Sequence, residues 1–214
     1  MNVPRTYEIV SERCRLRIPS ESDIPLIFSA TRFPGFNDGM VWDAPATPDE
    51  LRAPLERNLA LWESGESYTF SIDDRRTTAF MGRISIRTVE QLNEWDIGYW
   101  LHPDSQGRGY MREAAAAVLR FGFIELDAQA IHSRYAVWNE KSGAVLFAIG
   151  MKLSGYLPRG LFKGGNWVPE YKVSITRQEW CERCVPNPPL PTPAVVVTTV
   201  AKAPVAPLPG AAGR

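Results

Sequence analysis

The apolar and polar positions of the chain alternate between two periods, two residues for strands and three to four for helices. Arg13-Cys14-Arg15-Leu16-Arg17-Ile18 alternates strictly, the mark of a half-buried strand, and Pro19 ends it. Ser22-Asp23 predicts the cap of a helix through Ile24–Phe28, with Pro25 tolerated in its first turn. Thr47-Pro48-Asp49-Glu50 predicts the start of a second helix, on which Leu51, Leu55, Leu59 and Trp62 share a face. Ser67–Ile72, Phe80–Ile86 and Trp95–Leu101 read as strands, and Gly98 inside the third predicts a bulge or a close approach by another group. A glycine-containing turn at 106–111 precedes a helix over Arg112 to Leu126. Then come a strand at Ala130–Val137, a short helix over Ser142–Ile149 stopped by Gly150, and two closing strands at 151–157 and 168–175. This order predicts an α+β (mixed α/β) domain: early helices, an antiparallel meander, and a strand–helix–strand crossover that makes one parallel pair.

The pattern stops after Cys184. Val185–Arg214 holds eight prolines in 30 residues and only two charged side chains, Lys202 and Arg214. Proline removes a backbone donor and fixes φ, so 185–214 is expected to be an extended or disordered tail behind a domain over 1–184. Its Pro188-Pro189-Leu190-Pro191 could dock an aromatic groove or do nothing.

Charge and composition narrow the function classes. The 214 residues carry 24 basic and 24 acidic side chains, which removes the bulk electrostatic case for nucleic acid or an anionic membrane surface as partner. No apolar run reaches the ~18 residues of a membrane span, and the opening residues contain no apolar signal segment. Three cysteines (14, 181, 184) suit a reducing compartment, so a cytoplasmic protein is expected. Cys181 and Cys184 have metal-pair spacing but lack the further ligands that a zinc site needs, so no metal is expected.

The candidate chemistry lies in the turn before the long helix. A helix N-terminus offers free N–H donors and partial positive charge, which favour phosphates. Gly107 and Gly109 permit positive φ and close approach, while Arg108 and Arg112 add cations. No GxxxxGK[ST] loop is present, and Arg112 stands where a dinucleotide GxGxxG would need its last glycine. By turn chemistry alone, a phosphate site and a plain helix cap are equally open.

These residues resemble the GNAT N-acetyltransferases, in particular their RimJ/RimL-like branch. The family's acetyl-CoA signature is (Gln/Arg)-x-x-Gly-x-(Gly/Ala). Gln106-Gly107-Arg108-Gly109-Tyr110 follows it through five positions, with Met111 departing at the sixth, and Arg112-Glu113-Ala114 continues the branch's form. Ile97-Gly98-Tyr99-Trp100-Leu101-His102-Pro103, Asn139-Glu140-Lys141-Ser142, Gly150-Met151, Trp167-Val168 and Arg177-Gln178-Glu179-Trp180 resemble further blocks in the same order, the last two as closing strands.

The resemblance implies a GNAT fold, a mostly antiparallel sheet splayed between two parallel strands and flanked by helices. It implies acetyl-CoA as co-substrate, its pyrophosphate on Gln106, Gly107, Arg108, Gly109, Tyr110 and Met111. The pantetheine arm would run beside Asn139 and Ser142, between strands 95–101 and 130–137. A backbone N–H among Tyr99, Trp100 and Leu101, aimed by a bulge at Gly98, would meet the thioester oxygen. Ser142 inherits the role of proton donor to the leaving thiolate, or is simply a cap serine. Leu146 stands where many members carry a tyrosine acid. Candidate bases are Asp96, Glu94 and Glu170, each otherwise a solvated carboxylate.

The acceptor would meet the loop 33–46 and the segment 155–170, with Phe36, Trp42, Asp43 and Trp167 as contacts. Aromatics around a carboxylate suit a cationic amine. Relatives in the branch acetylate ribosomal-protein N-termini, polyamines or antibiotics, so the expected partner is a peptide N-terminus or a small-molecule amine, bound by a monomer or homodimer. The rival from another class is an acyl-CoA-binding sensor or scaffold on the same fold, without turnover.

Overall fold

The computed structural model describes residues 3–89 and 93–184; the proline-rich segment 185–214 lies outside the described residues. Eight strands form one sheet in the order β1-β2-β3-β4-β5-β6-β8-β7. They are β1 (Ile9–Val10), β2 (Cys14–Arg17), β3 (Ser67–Asp74), β4 (Phe80–Thr88), β5 (Glu94–Leu101), β6 (Ala130–Ala136), β7 (Lys152–Lys163) and β8 (Asn166–Thr176). Every neighbouring pair is antiparallel except β5 and β6, which are parallel. Helices α1 (Ile24–Ala30) and α2 (Arg52–Ser64) precede β3, α3 (Tyr110–Ile124) joins the parallel pair, α4 (Glu140–Ala148) follows β6, and α5 (Arg177–Cys184) ends the domain.

Local chemistry accounts for the boundaries. A short 3-10 turn with Pro48 in its first position leads into α2, and Gly65 ends that helix at φ 78°. Asp23 stands at the N-cap position of α1, and a 3-10 turn over Glu21–Asp23 precedes it with Ser20 as its own cap, Asp23 turning back to accept from the Ser20 N–H at 3.0 Å. Leu51, Leu55 and Trp62 are buried as their spacing predicts.

Helix α3 lies directly on the sheet. Ala114 and Ala115 are fully buried, and a Cβ on Gly122 would stand 2.7 Å from Ile131 Cδ1 and 2.8 Å from Ile86 Cδ1. The main core, with Phe70, Ile84, Ile86, Ile97, Val118, Leu119 and Ile131, fills the space between α3 and the sheet. A smaller cluster of Ile24, Ile27, Leu51 and Leu55 sits over the opposite face, against Phe80 and Trp100.

Three expectations are corrected. The β4–β5 register runs unbroken from Thr88↔Trp95 through Ser85↔Gly98 to Gly82↔Leu101, so no bulge stands at Gly98 in that ladder. The neighbouring β3–β4 ladder is the one that shifts, where Ile72 faces Gly82 but Asp73 faces Phe80, leaving Met81 extra, and β7–β8 shifts twice, at Leu153/Gly155 and Leu157/Leu161. In β4, Gly82 is obligatory: a Cβ would fall 2.3 Å from the Trp100 carbonyl oxygen. Residues Arg177–Trp180 open helix α5 rather than a strand, and the closing hairpin β7–β8 is longer than its hydrophobic pattern, joined by Gly164 and Gly165, both at positive φ.

Candidate active site

Strands β5 and β6 pair over only three positions, Glu94↔Ala130, Trp95↔Ile131 and Asp96↔His132. Beyond them the ladder stops, and one side-chain bond, Ser133 Oγ to the Ile97 carbonyl oxygen at 2.8 Å, spans the opening. Main-chain groups alternate sides along a strand. Ile97 turns its carbonyl toward β6, so the Tyr99 and Leu101 main chains face the gap as well. Gly98 and Trp100 face β4, where Gly98 accepts from Ser85 Oγ at 3.3 Å. Of the three candidate oxyanion donors, the Trp100 N–H is therefore on the wrong side, and the Tyr99 and Leu101 N–H groups remain.

The side of the gap under α3 and α4 carries the serine. Asn139 caps α4, its Oδ1 accepting from the Ser142 N–H at 3.2 Å. The Tyr99 hydroxyl crosses from β5 to lie 3.1 Å from Ser142 Oγ and donates to the Ser142 carbonyl oxygen at 3.0 Å. Burial raises the Tyr99 pKa, so this hydroxyl stays protonated and acts as a donor. The sequence points to the Tyr99 main chain alone; its hydroxyl is a further member of the site. Leu146, where a tyrosine acid was sought, is fully buried in the core.

At the α3 N-terminus, Gly107 (φ 76°) and Gly109 (φ 78°) both take the left-handed conformation, and a Cβ on Gly107 would meet nothing within 4 Å. Gln106 Nε2 donates to the Leu101 carbonyl at 3.3 Å, closing the turn back onto β5. Arg13 clasps the turn from outside. Its Nη1 donates to the Arg108 carbonyl at 2.9 Å, its Nε to Glu113 Oε2 at 2.7 Å, and its guanidinium lies 4.8 Å from the Tyr110 ring. Two site candidates point elsewhere: the Tyr110 hydroxyl bonds Asp74 at 2.8 Å, and the Met111 side chain is buried in the main core, which leaves only its main-chain N–H for a ligand. Along the outer side of α3 runs a cleft of about 580 Å³ lined by Gly109, Arg112 and Arg120, with Arg13 and Arg183 across it. Glu113, the cleft's acidic residue, is already paired with Arg13.

The opposite face of the gap carries the acidic and aromatic candidates. Asp96 is buried and ion-paired with Arg87 at 2.5 Å; Glu94 is bonded to His132 Nε2 at 2.8 Å. Glu170 shares this face through its pairing with Ala136; burial raises its pKa, the Arg134 charge opposes that rise and the Asp96 charge adds to it. Trp100 packs edge-on to Phe36 at 5.3 Å, and Phe36 to Trp42 at 6.3 Å, so loop 33–46 lies over this face. Asp43 is exposed and its charge is met by Lys163, which also bonds the Trp42 carbonyl and ties the β7–β8 hairpin to that loop. Trp167 pairs with Phe162 at 5.2 Å near the exposed end of the hairpin. Ser142, Tyr99 and Asn139 thus approach the gap from one side of the sheet, and Asp96, Glu170, Phe36, Trp42 and Trp100 from the other.

Nearby, Arg17 bonds both Asp23 (Nη2–Oδ1, 2.7 Å) and Asp73 (Nε–Oδ2, 2.6 Å), and Ser71 Oγ adds a bond to Asp23 at 2.6 Å. The Arg13-x-Arg15-x-Arg17 alternation was read for a strand, and the charged positions on it signalled partners that were not sought. Among the described residues no group of three or more His, Cys, Asp or Glu is placed to hold a metal ion, and no helix is long and apolar enough to cross a membrane.

The geometry has relatives. Residues 13–152 match the acetyltransferase (GNAT) domain family. The uncharacterized N-acetyltransferase YnaD of Bacillus subtilis is 35% identical over 134 residues, 63% of this chain and 76% of that protein. The ribosomal protein uS5-alanine N-acetyltransferase of Escherichia coli is 24% identical over 135 residues, 62% of this chain and 70% of that one. Among solved structures, RimL, a ribosomal alpha-N-protein acetyltransferase in complex with coenzyme A, superposes with a TM-score of 0.72 at 21% identity, covering 79% of this chain and 98% of that chain. A strand pair that parts after three residues, a two-glycine helix N-terminus at its mouth and a match over most of the folded length have one reading: the chain belongs to the GNAT family of N-acetyltransferases.

Proposed function

We propose that the protein moves the acetyl group of acetyl-CoA to a primary amine, a peptide N-terminus or a small-molecule amine, by direct attack within a ternary complex. The observation that carries this reading is the opening between β5 and β6, with Tyr99 and Ser142 on one side and Asp96 and Glu170 on the other. Two reactants entering from opposite faces would meet there.

The residues fit the co-substrate. The amides of 107–111 and the open side of Gly107 suit a pyrophosphate, the Gln106 N–H being spent on the Pro103 carbonyl at 3.2 Å, and the arginines of the α3 cleft suit further nucleotide phosphates. Acetyl-CoA would supply the thioester. The chain's part is then to orient and to manage protons. The Tyr99 N–H faces the gap, where it can stabilise the developing oxyanion, a contribution of about 3 kcal/mol per donor. A buried Glu170 accepts the proton that the attacking ammonium must lose, directly or through water, with Asp96 held by Arg87 as the less available alternative. Ser142 gives its proton to the departing thiolate and regains one from solvent, while Tyr99 holds the serine in place through its bond to the Ser142 carbonyl oxygen. The family setting and the scarcity of cysteines support a cytoplasmic site of action.

Incubation with acetyl-CoA and an N-terminal tripeptide, read by release of free thiol and by the mass of the peptide, tests the reaction. Thiol release matched by acetylated peptide supports it. The rival reading, a binding protein without turnover, is motivated by the buried Leu146 in place of an acid and predicts tight acetyl-CoA binding with no thiol released in the presence of any amine.

A further inference from the structure

On the acceptor face one cation has no partner for its donors. Arg83 in β4 lies opposite Trp100 of β5 and opposite Ser71 of β3, and its Nε and Nη2 are buried with no hydrogen-bond partner among the described residues. The nearby carboxylates are already committed. Asp23 accepts from Arg17, Ser71 and Ser20, and Asp73 from Arg17. Asp23 therefore balances the charge of Arg83 at a distance without meeting its N–H groups. Burial lowers the Arg83 pKa to about 10, which still leaves the guanidinium charged at neutral pH. A buried donor left unmet is costly, so such a group beside the opening of the sheet points to an acceptor that arrives with a ligand.

Its place in the sheet says which ligand. The next pair along the β4–β5 ladder on this face is Ser85↔Gly98, both small; a Cβ on Gly98 would come no nearer than 3.8 Å to Ser85 Oγ. The pair after that is Arg87↔Asp96. Gly98 and Ser85 thus form a low floor beside the opening between β5 and β6, with Arg83 and Trp100 as one wall and Arg87 and Asp96 as the other. Arg83 stands two residues along from that floor, roughly 7 Å by strand geometry, one to two bonds beyond the reach of a first residue's carbonyl and well within the span of an arginine side chain.

We propose that Arg83 is a specificity-determining residue that binds an oxygen of the acceptor amine, the first carbonyl of a peptide or the carboxylate of an amino acid, and that selects against polyamines. This rests on the acetyl-transfer reading above. A polyamine brings only cationic donors and would place them beside a guanidinium whose own donors are unmet. A peptide N-terminus or amino acid brings the missing acceptor atom at a fixed distance from its amine. The role gives Gly98 a purpose that does not require a bulge, since it keeps the floor clear for the amine.

The test compares four acceptors, a tripeptide amide, a free α-amino acid, spermidine and n-butylamine, by thiol release with wild type, Arg83→Met and Arg83→Lys. Wild type is expected to prefer the tripeptide amide or the amino acid over butylamine, and the better of the two identifies carbonyl or carboxylate as the oxygen bound. Arg83→Met should lose about 10- to 100-fold in kcat/KM on that acceptor, mostly through KM, and change little on butylamine. Arg83→Lys should restore part of the loss, which a merely structural role would not. Removing an unsatisfied buried cation should leave the melting temperature unchanged or higher, and Arg83→Gln serves if the methionine variant does not fold. Thiol release with an unchanged acceptor ratio in Arg83→Met, or a wild-type preference for spermidine, overturns the proposal and leaves acetyl transfer standing. Absence of thiol release with all four amines overturns the acetyl-transfer reading and this proposal with it.

Discussion

The hydroxyl of Tyr99 lies 3.1 Å from Oγ of Ser142, joining β5 to the first turn of α4 at the point where β5 and β6 have parted. Its raised pKa keeps the proton on the tyrosine, which donates to the Ser142 carbonyl and so positions the serine rather than acting as a base. Ser142→Ala is expected to lower kcat by about 10²-fold with little change in acetyl-CoA affinity, the lower end of the range for a positioned proton donor because water can replace part of the function. Tyr99→Phe should fall between wild type and Ser142→Ala. Steady-state kinetics with acetyl-CoA varied at saturating acceptor measures both; a change confined to KM would assign the pair to binding instead.

The buried carboxylate of Glu170 sets a pH dependence. Burial holds its pKa above the ordinary value, so the protonated form persists to higher pH than in an exposed glutamate. In the proposed role of base it would work only when ionised. The kcat/KM profile should therefore rise with pH along a limb that lies above the ordinary carboxylate range, and Glu170→Gln should remove that limb and cost about 10²-fold. An unchanged profile in the variant would shift the role to Asp96 or to solvent.

Stability should be most sensitive at Arg17. Among the described residues it alone bonds both Asp23 and Asp73, which are both buried. Burial works against ionisation of Asp23, but the bonds from Arg17, Ser71 and Ser20 win and pull its pKa below the ordinary value. Arg17→Leu leaves two buried carboxylates facing each other and should cost roughly 3–5 kcal/mol in denaturant unfolding. The sign for Asp23 follows from its lowered folded pKa. Its contribution is present above the unfolded value near 3.8 and is lost as pH falls below it, so wild type should destabilise more steeply than Asp23→Asn below about pH 4.

Elements whose cause is local were legible in the sequence: the alternation of β3, the Pro48 start of α2 and the two-glycine turn before α3 each follow from a few adjacent residues. What was not legible depends on partners far apart in the chain. The need for glycine at 82 comes from the Trp100 carbonyl on the next strand, whereas sequence drew attention to Gly98, which pairs in regular register. The strand expected at Arg177–Trp180 rests on the family resemblance alone, and these residues have no apolar period of their own to show a helix; Trp180 is held by stacking on Phe123 at 5.1 Å. The candidate site divides likewise: the turn at 106–111 announced itself, while the Tyr99 hydroxyl and the unmet donors of Arg83 emerge only once β4, β5 and α4 are assembled.

Calorimetric titration with acetyl-CoA, run on wild type beside Gly107→Glu, reports whether the 106–111 turn holds the acetyl donor. A side chain at 107 enters open space, so the variant should fold with a loss of only about 1 kcal/mol for its left-handed backbone, yet it sets a carboxylate where phosphates would sit. One site per chain is expected in the wild type, with at least tenfold weaker binding in the variant. No binding by the wild type, or equal binding by both proteins, would contradict that placement and leave the turn as a helix cap alone.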